Sequence, residues 1–431
     1  MPKTNQPGSR QGSHGRPRYL PSSDDGILFV LAVYGASRLF YLVAGSLLAS
    51  FLPVGPFHRL TLDVPSGRLN IWAHWDGVWY SRIAAEGYGR FAWDGPLYSR
   101  IAAEGYETTA SAAFFPLYPL LMRSFAALFG GPLSLEALSL YGVLVSLLAL
   151  PFAFYFIYRI AEDGWGERVA KGSVLALAFF PTTFFLNAAY TESLFLALSA
   201  GSLWALRVRR DLLLACALAG LATATRNVGV FLMVPLLYEW FVNRDRYGWR
   251  LVYLALAPSG LILYSAYLWR SFDNPLLFYE AQSYWNRSPT DPSTFMINIL
   301  REAGESLVLI FSPRASVDTT LGEVMHRLNG TTDAYNLLFL IFTLAMLLLG
   351  LRVLPASLWA YALLLVIPAA LFGKLETPLL GFPRYLLAAF PIFIVLATLL
   401  ESRRALGIWL ISSAAFSLAL CALFVSWRFV A

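Results

Sequence analysis

Charge is the first thing this 431-residue chain is short of: Asp, Glu, Lys and Arg make up 13% of it, against 58% hydrophobic residues. A soluble globular domain carries about 25% charged residues, so with a mean hydropathy of +0.60 the composition is that of a polytopic membrane protein. Cysteine is nearly absent. Cys216 and Cys421 both lie inside apolar runs, which excludes a disulfide framework and reads as two small buried hydrophobes. Histidine is equally scarce, and His14, His58, His74 and His326 form no ligand cluster. No Asp-x-Asp motif or other metal-ligand cluster is evident, so a divalent metal is allowed but not indicated. The net charge of +6 does not point to nucleic acid, because the basic residues fall mostly in short loops between apolar runs.

What is abundant is apolar sequence in lengths that can cross a bilayer, which takes about 20 residues per helix. Such segments run over 26–52, 135–158, 169–187, 192–206, 211–227, 228–243, 251–269, 334–351, 355–373, 385–400 and 405–427. The expectation is an all-α polytopic membrane protein of about 11 transmembrane helices. The polar, Pro/Gly/Ser-rich start, residues 1–25, reads as a disordered cytoplasmic tail, and 26–431 as a single integral-membrane domain. Lys and Arg then alternate with an inside N-terminus, provided that the apolar piece at 113–130 lies along the surface rather than crossing. Two long outer segments result, about 53–134 and 270–333, and nearly all unusual polar residues fall on that outer side.

The first outer segment contains a near-repeat. "WDGVWYSRIAAEGY" (75–88) and "WDGPLYSRIAAEGY" (93–106) differ only at Val78/Pro96 and Trp79/Leu97. Asp76 and Asp94 each have two compatible readings: a helix N-cap, or a carboxylate base at the membrane boundary that reaches both a lipid-borne and a soluble reactant. The spacing of Trp72, Trp75 and Trp79 predicts one helical stripe anchored among lipid headgroups. Further on, Glu192 in "NAAYTES" opens a span, where an acid suits the helix dipole. Arg226 in "TRNVG" and Arg384 in "GFPRY" sit at membrane edges, as ion-pair partners or as bidentate phosphate clamps; Glu192 is the natural partner for Arg226. Arg38 is a charge in the middle of the first span with no partner evident from sequence. A transporter of lipid-linked sugar remains open on these residues alone, although its polar sites would be expected near the bilayer midplane.

"WDGVWYSRIAAEGY", "AFFPLYPLLMR", "NAAYTESLFLALS", "ATRNVGV" and "FPRYLLAAFPIF" occur in this order. As an ordered set they resemble the PIG-V-type mannosyltransferases, GPI mannosyltransferase 2-like members of the GT-C glycosyltransferases, in their prokaryotic branch. The resemblance runs from about Arg38 to about Ala397. It implies a GT-C-type membrane fold with juxtamembrane helices in the first outer loop and an active site on the non-cytoplasmic face. It implies a polyprenyl-phosphate sugar as donor substrate, mannose in the best-known cases. The acidic base carries over to Asp76 or Asp94, and the family's Glu and Arg motifs to Glu192, Arg226 and Arg384. Trp75, Tyr80, Phe115, Tyr118 and Tyr190 are the accompanying candidates for substrate contact. The family shows a single Trp-Asp block, so the repeat here is a departure, and an 18-residue tandem duplication accounts for it. Copy one keeps the typical upstream context and copy two the familiar distance to Phe114; Asp76 is the favoured base.

Overall fold

The computed structural model describes residues 24–55, 70–88, 108–285, 291–311, 332–371, 379, 381–428 and 430. Among these, the chain is helical and contains no strand. The helices used below are α1 (Asp24–Phe51), α2 (Asp76–Glu86), α3 (Leu117–Leu128), α4 (Leu135–Trp165), α5 (Glu167–Ala178), α6 (Glu192–Trp204), α7 (Leu212–Thr223), α8 (Met233–Val242), α9 (Ser259–Phe272), α10 (Pro292–Phe311), α11 (Thr332–Val353), α12 (Ala356–Leu371), α13 (Phe382–Tyr385), α14 (Pro391–Leu399) and α15 (Arg403–Val425). Among the described residues, each of the apolar runs anticipated from sequence lies mostly in helix. Among the described residues, five helices are long and apolar enough to cross a bilayer, or six if the pair Phe382–Ala388 and Pro391–Leu399, bent by 89°, counts as one broken span. The protein is thus an all-α integral membrane protein. The apolar helices α3, α7 and α12 are each shorter than a full span.

Helix α4 is the central pillar, with α1, α2, α3, α5 and α6 packed around it. Its N-terminus is fixed by Ser134, whose hydroxyl accepts a hydrogen bond from the Ala137 N–H at 3.3 Å, a capping arrangement that satisfies one of the orphan donors of the first turn. Asp211 caps α7 and Ser402 caps α15 in the same way. Cys216 and Cys421 are free thiols, both buried, in line with their reading as small core residues.

Arg38, without a partner in sequence, is anchored by backbone. Its guanidinium donates to the carbonyls of Ala178 (3.1 Å) and Thr183 (3.2 Å) and to Asn187 Oδ1 (2.8 Å). Helix α5 ends at Ala178 and a short 3-10 turn, Thr183–Asn187, follows after a break, and carbonyls on both sides of that break take the arginine donors. Arg38 therefore serves as a clasp between α1 and a helix break. Arg38→Leu is expected to cost about 2–3 kcal/mol, since it leaves buried carbonyls unsatisfied; unfolding in detergent measures this.

The tryptophan stripe is not formed. Trp72 ends a 3-10 turn (Asn70–Trp72), Trp75 occupies the cap position with φ 54°, and the α-helix begins only at Asp76. The chain turns at 73–75, so spacing of three and seven does not put the rings on one face. Trp72 is fully buried, stacked near Phe424 and seated against α1 where Gly45 leaves room for the indole. Trp79 is buried against Phe114, with ring centroids 5.8 Å apart. These rings pack the protein interior instead of anchoring it in headgroups.

Candidate active site

One short turn, residues 188–191 between α5 and α6, brings the site together. Its Ala189 N–H donates to the Trp72 carbonyl at 2.8 Å. The Tyr190 hydroxyl donates to the His74 carbonyl at 3.0 Å, and the Tyr190 carbonyl accepts from Ser146 on α4 at 3.1 Å. Close approach to α4 requires Gly142, because a Cβ there would stand 2.9 Å from the Cβ of Ala189. Helix α2 is pinned to the same pillar through the Ser81 and Ser139 hydroxyls, 2.9 Å apart. The first residue of α2, Asp76, and the first of α6, Glu192, are in this way held against one turn. Gly142→Val is expected to push that turn away from α4 and misplace both acids. Displacements of about 1 Å cost up to about a hundredfold in rate, so transfer activity should fall with only a modest loss of thermal stability.

The two arginines arrive from elsewhere. Arg226 precedes the 3-10 turn Asn227–Leu232. Arg384 lies on α13, the short arm of the broken pair, which Gly381 opens with a left-handed φ of 83° and Pro383 and Pro391 shape. Arg384 Nη1 donates to Asp76 Oδ2 at 2.8 Å, and its Nε lies 3.2 Å from Glu192 Oε1. Arg226 Nη1 donates to the same Glu192 oxygen at 2.9 Å. Arg384 Nη2 donates to the Tyr385 hydroxyl at 3.0 Å, and the Tyr385 ring lies under both guanidinium groups, 4.9 Å from Arg226 and 5.0 Å from Arg384. Two carboxylates and two guanidiniums thus form a continuous, charge-balanced chain: Asp76, Arg384, Glu192, Arg226.

Burial grades this chain. The Glu192 side chain is 3% exposed and that of Arg384 7%, whereas Asp76 is 33% exposed. Glu192 Oε2 is buried and makes no hydrogen bond, a state that calls for a donor. The Tyr80 hydroxyl faces Thr191 at 3.4 Å. Burial first, and next the charge of Asp76, hold this phenol well above its ordinary pKa, so it stays protonated and serves as a donor, never as a base.

Asp76, Glu192, Arg226, Arg384, Tyr80 and Tyr190 from the sequence-derived set meet here. Asp76 is the first helical residue and not the cap, as no side chain caps α2; its carboxylate is given to Arg384 instead. Trp75 sits beside Asp76 with its ring 5.9 Å from Trp427. Tyr118 is fully buried, its hydroxyl donating to the Gly142 carbonyl at 2.7 Å. Phe115 packs against Tyr264 and Phe278. Both belong to the aromatic packing around Tyr80, which stands 5.1 Å from Tyr118. Asp94 and the second copy lie outside the described residues. Tyr385 stands outside the sequence-derived set, and its place next to Arg384 is the signal for it in the sequence. No group of three or more His, Cys, Asp or Glu residues suited to a metal occurs among the described residues.

Fold and site together define a helical membrane protein with a buried carboxylate–arginine centre. Residues 85–242 match the mannosyltransferase (PIG-V) family. The chain is similar to GPI mannosyltransferase 2 of Yarrowia lipolytica (strain CLIB 122 / E 150), 28% identical over 170 residues, covering 36% of this chain and 47% of that protein; it spans about half the length of this curated relative. Among solved structures it is similar to ArnT from Cupriavidus metallidurans bound to undecaprenyl phosphate (15% identity, 91% of this chain and 63% of that one, TM-score 0.47). It is also similar to the oligosaccharyltransferase of Archaeoglobus fulgidus (15% identity, 91% and 56%, TM-score 0.42). The resemblance to PIG-V mannosyltransferases read from the motifs is therefore met by direct sequence similarity. The matched range contains Asp94, Glu192 and Arg226, starts after Asp76 and ends before Arg384.

Proposed function

We propose that this protein is a GT-C-type glycosyltransferase of the membrane, moving a sugar, mannose by family resemblance, from a polyprenyl-phosphate donor to a lipid, glycan or protein hydroxyl on the non-cytoplasmic face. The observation that carries this reading is the four-residue chain Asp76–Arg384–Glu192–Arg226, assembled from four separate parts of the sequence. Arginine pairs suit phosphate oxygens, and an acid at the exposed end of the chain suits proton removal from an incoming hydroxyl.

In this mechanism Arg384 and Arg226 hold the donor phosphate and stabilise the charge that grows on it as the C1–oxygen bond breaks. Asp76 takes the acceptor's proton as that oxygen attacks C1 from the opposite face, and the single displacement inverts the anomeric centre. The phosphate leaves without needing an acid. Glu192 keeps both arginines in place, and its second oxygen accepts a sugar hydroxyl. Tyr80 remains a neutral donor beside them, while Trp75 and Tyr190 flank Asp76. The membrane holds the polyprenyl tail. The chain's N-terminus lies on the cytoplasmic side, with the Asp76 end of the bundle opposite.

Incubating the protein in membranes with labelled polyprenyl-phosphate mannose tests this. Covalent transfer of label to an acceptor supports it. Movement of label across the bilayer with no new glycoside favours a transporter of the lipid-linked sugar and overturns it.

A further inference from the structure

We infer that the donor phosphate and Asp76 compete for Arg384, so that donor binding is the event that frees the base. This rests on the reading above, in which Asp76 is the base and the arginines hold phosphate.

Arg384 already holds three partners: Nη1 donates to Asp76, Nη2 donates to Tyr385, and Glu192 stands 3.2 Å from Nε as an ion-pair partner without a hydrogen bond to it. A phosphate that pairs with Arg384 brings a third anion to a centre whose two cations are already balanced, and so competes with a carboxylate already there. Glu192 is the poor candidate to leave. It is the most buried of the acids, and one oxygen serves both arginines, so its departure would strand two buried cations at once. Tyr385 is neutral and offers no charge to exchange. Asp76 is one-third exposed and touches one arginine only. It also stands in the first turn of α2, where the helix dipole favours a carboxylate even after its partner is lost. The exchange thus selects Asp76.

The charges then balance at each stage. Before exchange two carboxylates meet two guanidiniums. A phosphodiester donor carries one negative charge and replaces Asp76 at Arg384, leaving phosphate and Glu192 against the two arginines. Asp76 stands beside them as a free carboxylate with its proton-accepting oxygen released. On transfer, the acceptor O–H bond breaks and its proton passes to Asp76. A bond forms between that oxygen and C1. The C1–O(phosphate) bond breaks with its electron pair kept by phosphate, which becomes a monoester dianion. Loss of the proton from Asp76 to water restores its charge, and its return to Arg384 drives the product off. The same contact that holds the base idle before the donor arrives helps to clear the site afterwards.

The test is binding of a short-chain polyprenyl phosphate to the full chain in detergent, by calorimetry, for the wild type and for Asp76→Asn. If Asp76 is a competitor, its removal tightens binding about tenfold or more while transfer is lost. If Asp76 only braces Arg384, the variant binds equally or more weakly, and the inference falls. Asp76→Ala provides the same comparison should the Asn variant fail to fold. A wild type that transfers sugar while Asp76→Asn shows no tightening overturns the competition alone. A wild type that neither binds the polyprenyl phosphate nor transfers sugar overturns the glycosyltransferase reading along with it.

Discussion

Asp76→Asn is expected to lower sugar transfer by about 10²–10⁴-fold, the range over which a positioned general base acts, while Asp94→Asn keeps most of the activity. The expectation for Asp76 follows from its geometry. Asp76 is bonded to Arg384 at 2.8 Å and lies within one residue chain of Glu192 and Arg226. Asparagine preserves shape and can still accept from Arg384, so the fold should survive and the loss should appear in turnover. The sequence match to the family begins at residue 85 and so covers copy two and not Asp76. After a tandem duplication an alignment can follow either copy, whereas the pairing with Arg384 is made by the first. Assay of both single variants and the double in membranes decides between them. Loss of transfer in Asp94→Asn with retention in Asp76→Asn would reverse the assignment, and full activity in the double variant would remove the carboxylate base altogether.

The parts of this molecule legible in its sequence are those set by local pattern. Apolar runs gave helices because a backbone in lipid must satisfy its own hydrogen bonds. The pairing of Glu192 with Arg226 was foreseeable, since an arginine at such depth needs an acid and this one was near. What stayed hidden depends on contacts far apart in the chain. Asp76 and Arg384 are 308 positions apart, and no spacing rule connects them. Arg38 found carbonyls at 178 and 183, and unpaired backbone at a helix break has no signature in residue type. The burial of Trp72 is hidden for a related reason. Its burial depends on Gly45 of α1 and Phe424 of α15, so an interfacial reading by residue type could not see the pocket waiting for it. Tyr385 is legible beside Arg384, because a phenol next to an arginine at a membrane edge is both an acceptor and a cation–π platform.

Glu192→Ala is expected to be the most destabilising single change at the site, costing about 3–5 kcal/mol, the usual penalty for leaving buried charge uncompensated. Glu192 Oε1 stands 2.9 Å from Arg226 and 3.2 Å from Arg384, so its removal exposes both cations to a low-dielectric surrounding with only Asp76 left to answer them. Arg226→Ala should cost less, because Glu192 still faces Arg384. The double variant Glu192→Ala/Arg226→Ala leaves a single balanced pair, Asp76 with Arg384 at 2.8 Å. It should therefore be more stable than Glu192→Ala alone, with a coupling energy of about 0.5–3 kcal/mol, though inactive because one phosphate ligand is gone. Unfolding of the four proteins in detergent completes the cycle. Additive effects, or a Glu192→Ala protein as stable as the wild type, would show that the two arginines do not depend on Glu192. The phosphate clamp would then have to be organised by Asp76 and Tyr385 alone, and Asp76 could no longer be the partner that leaves.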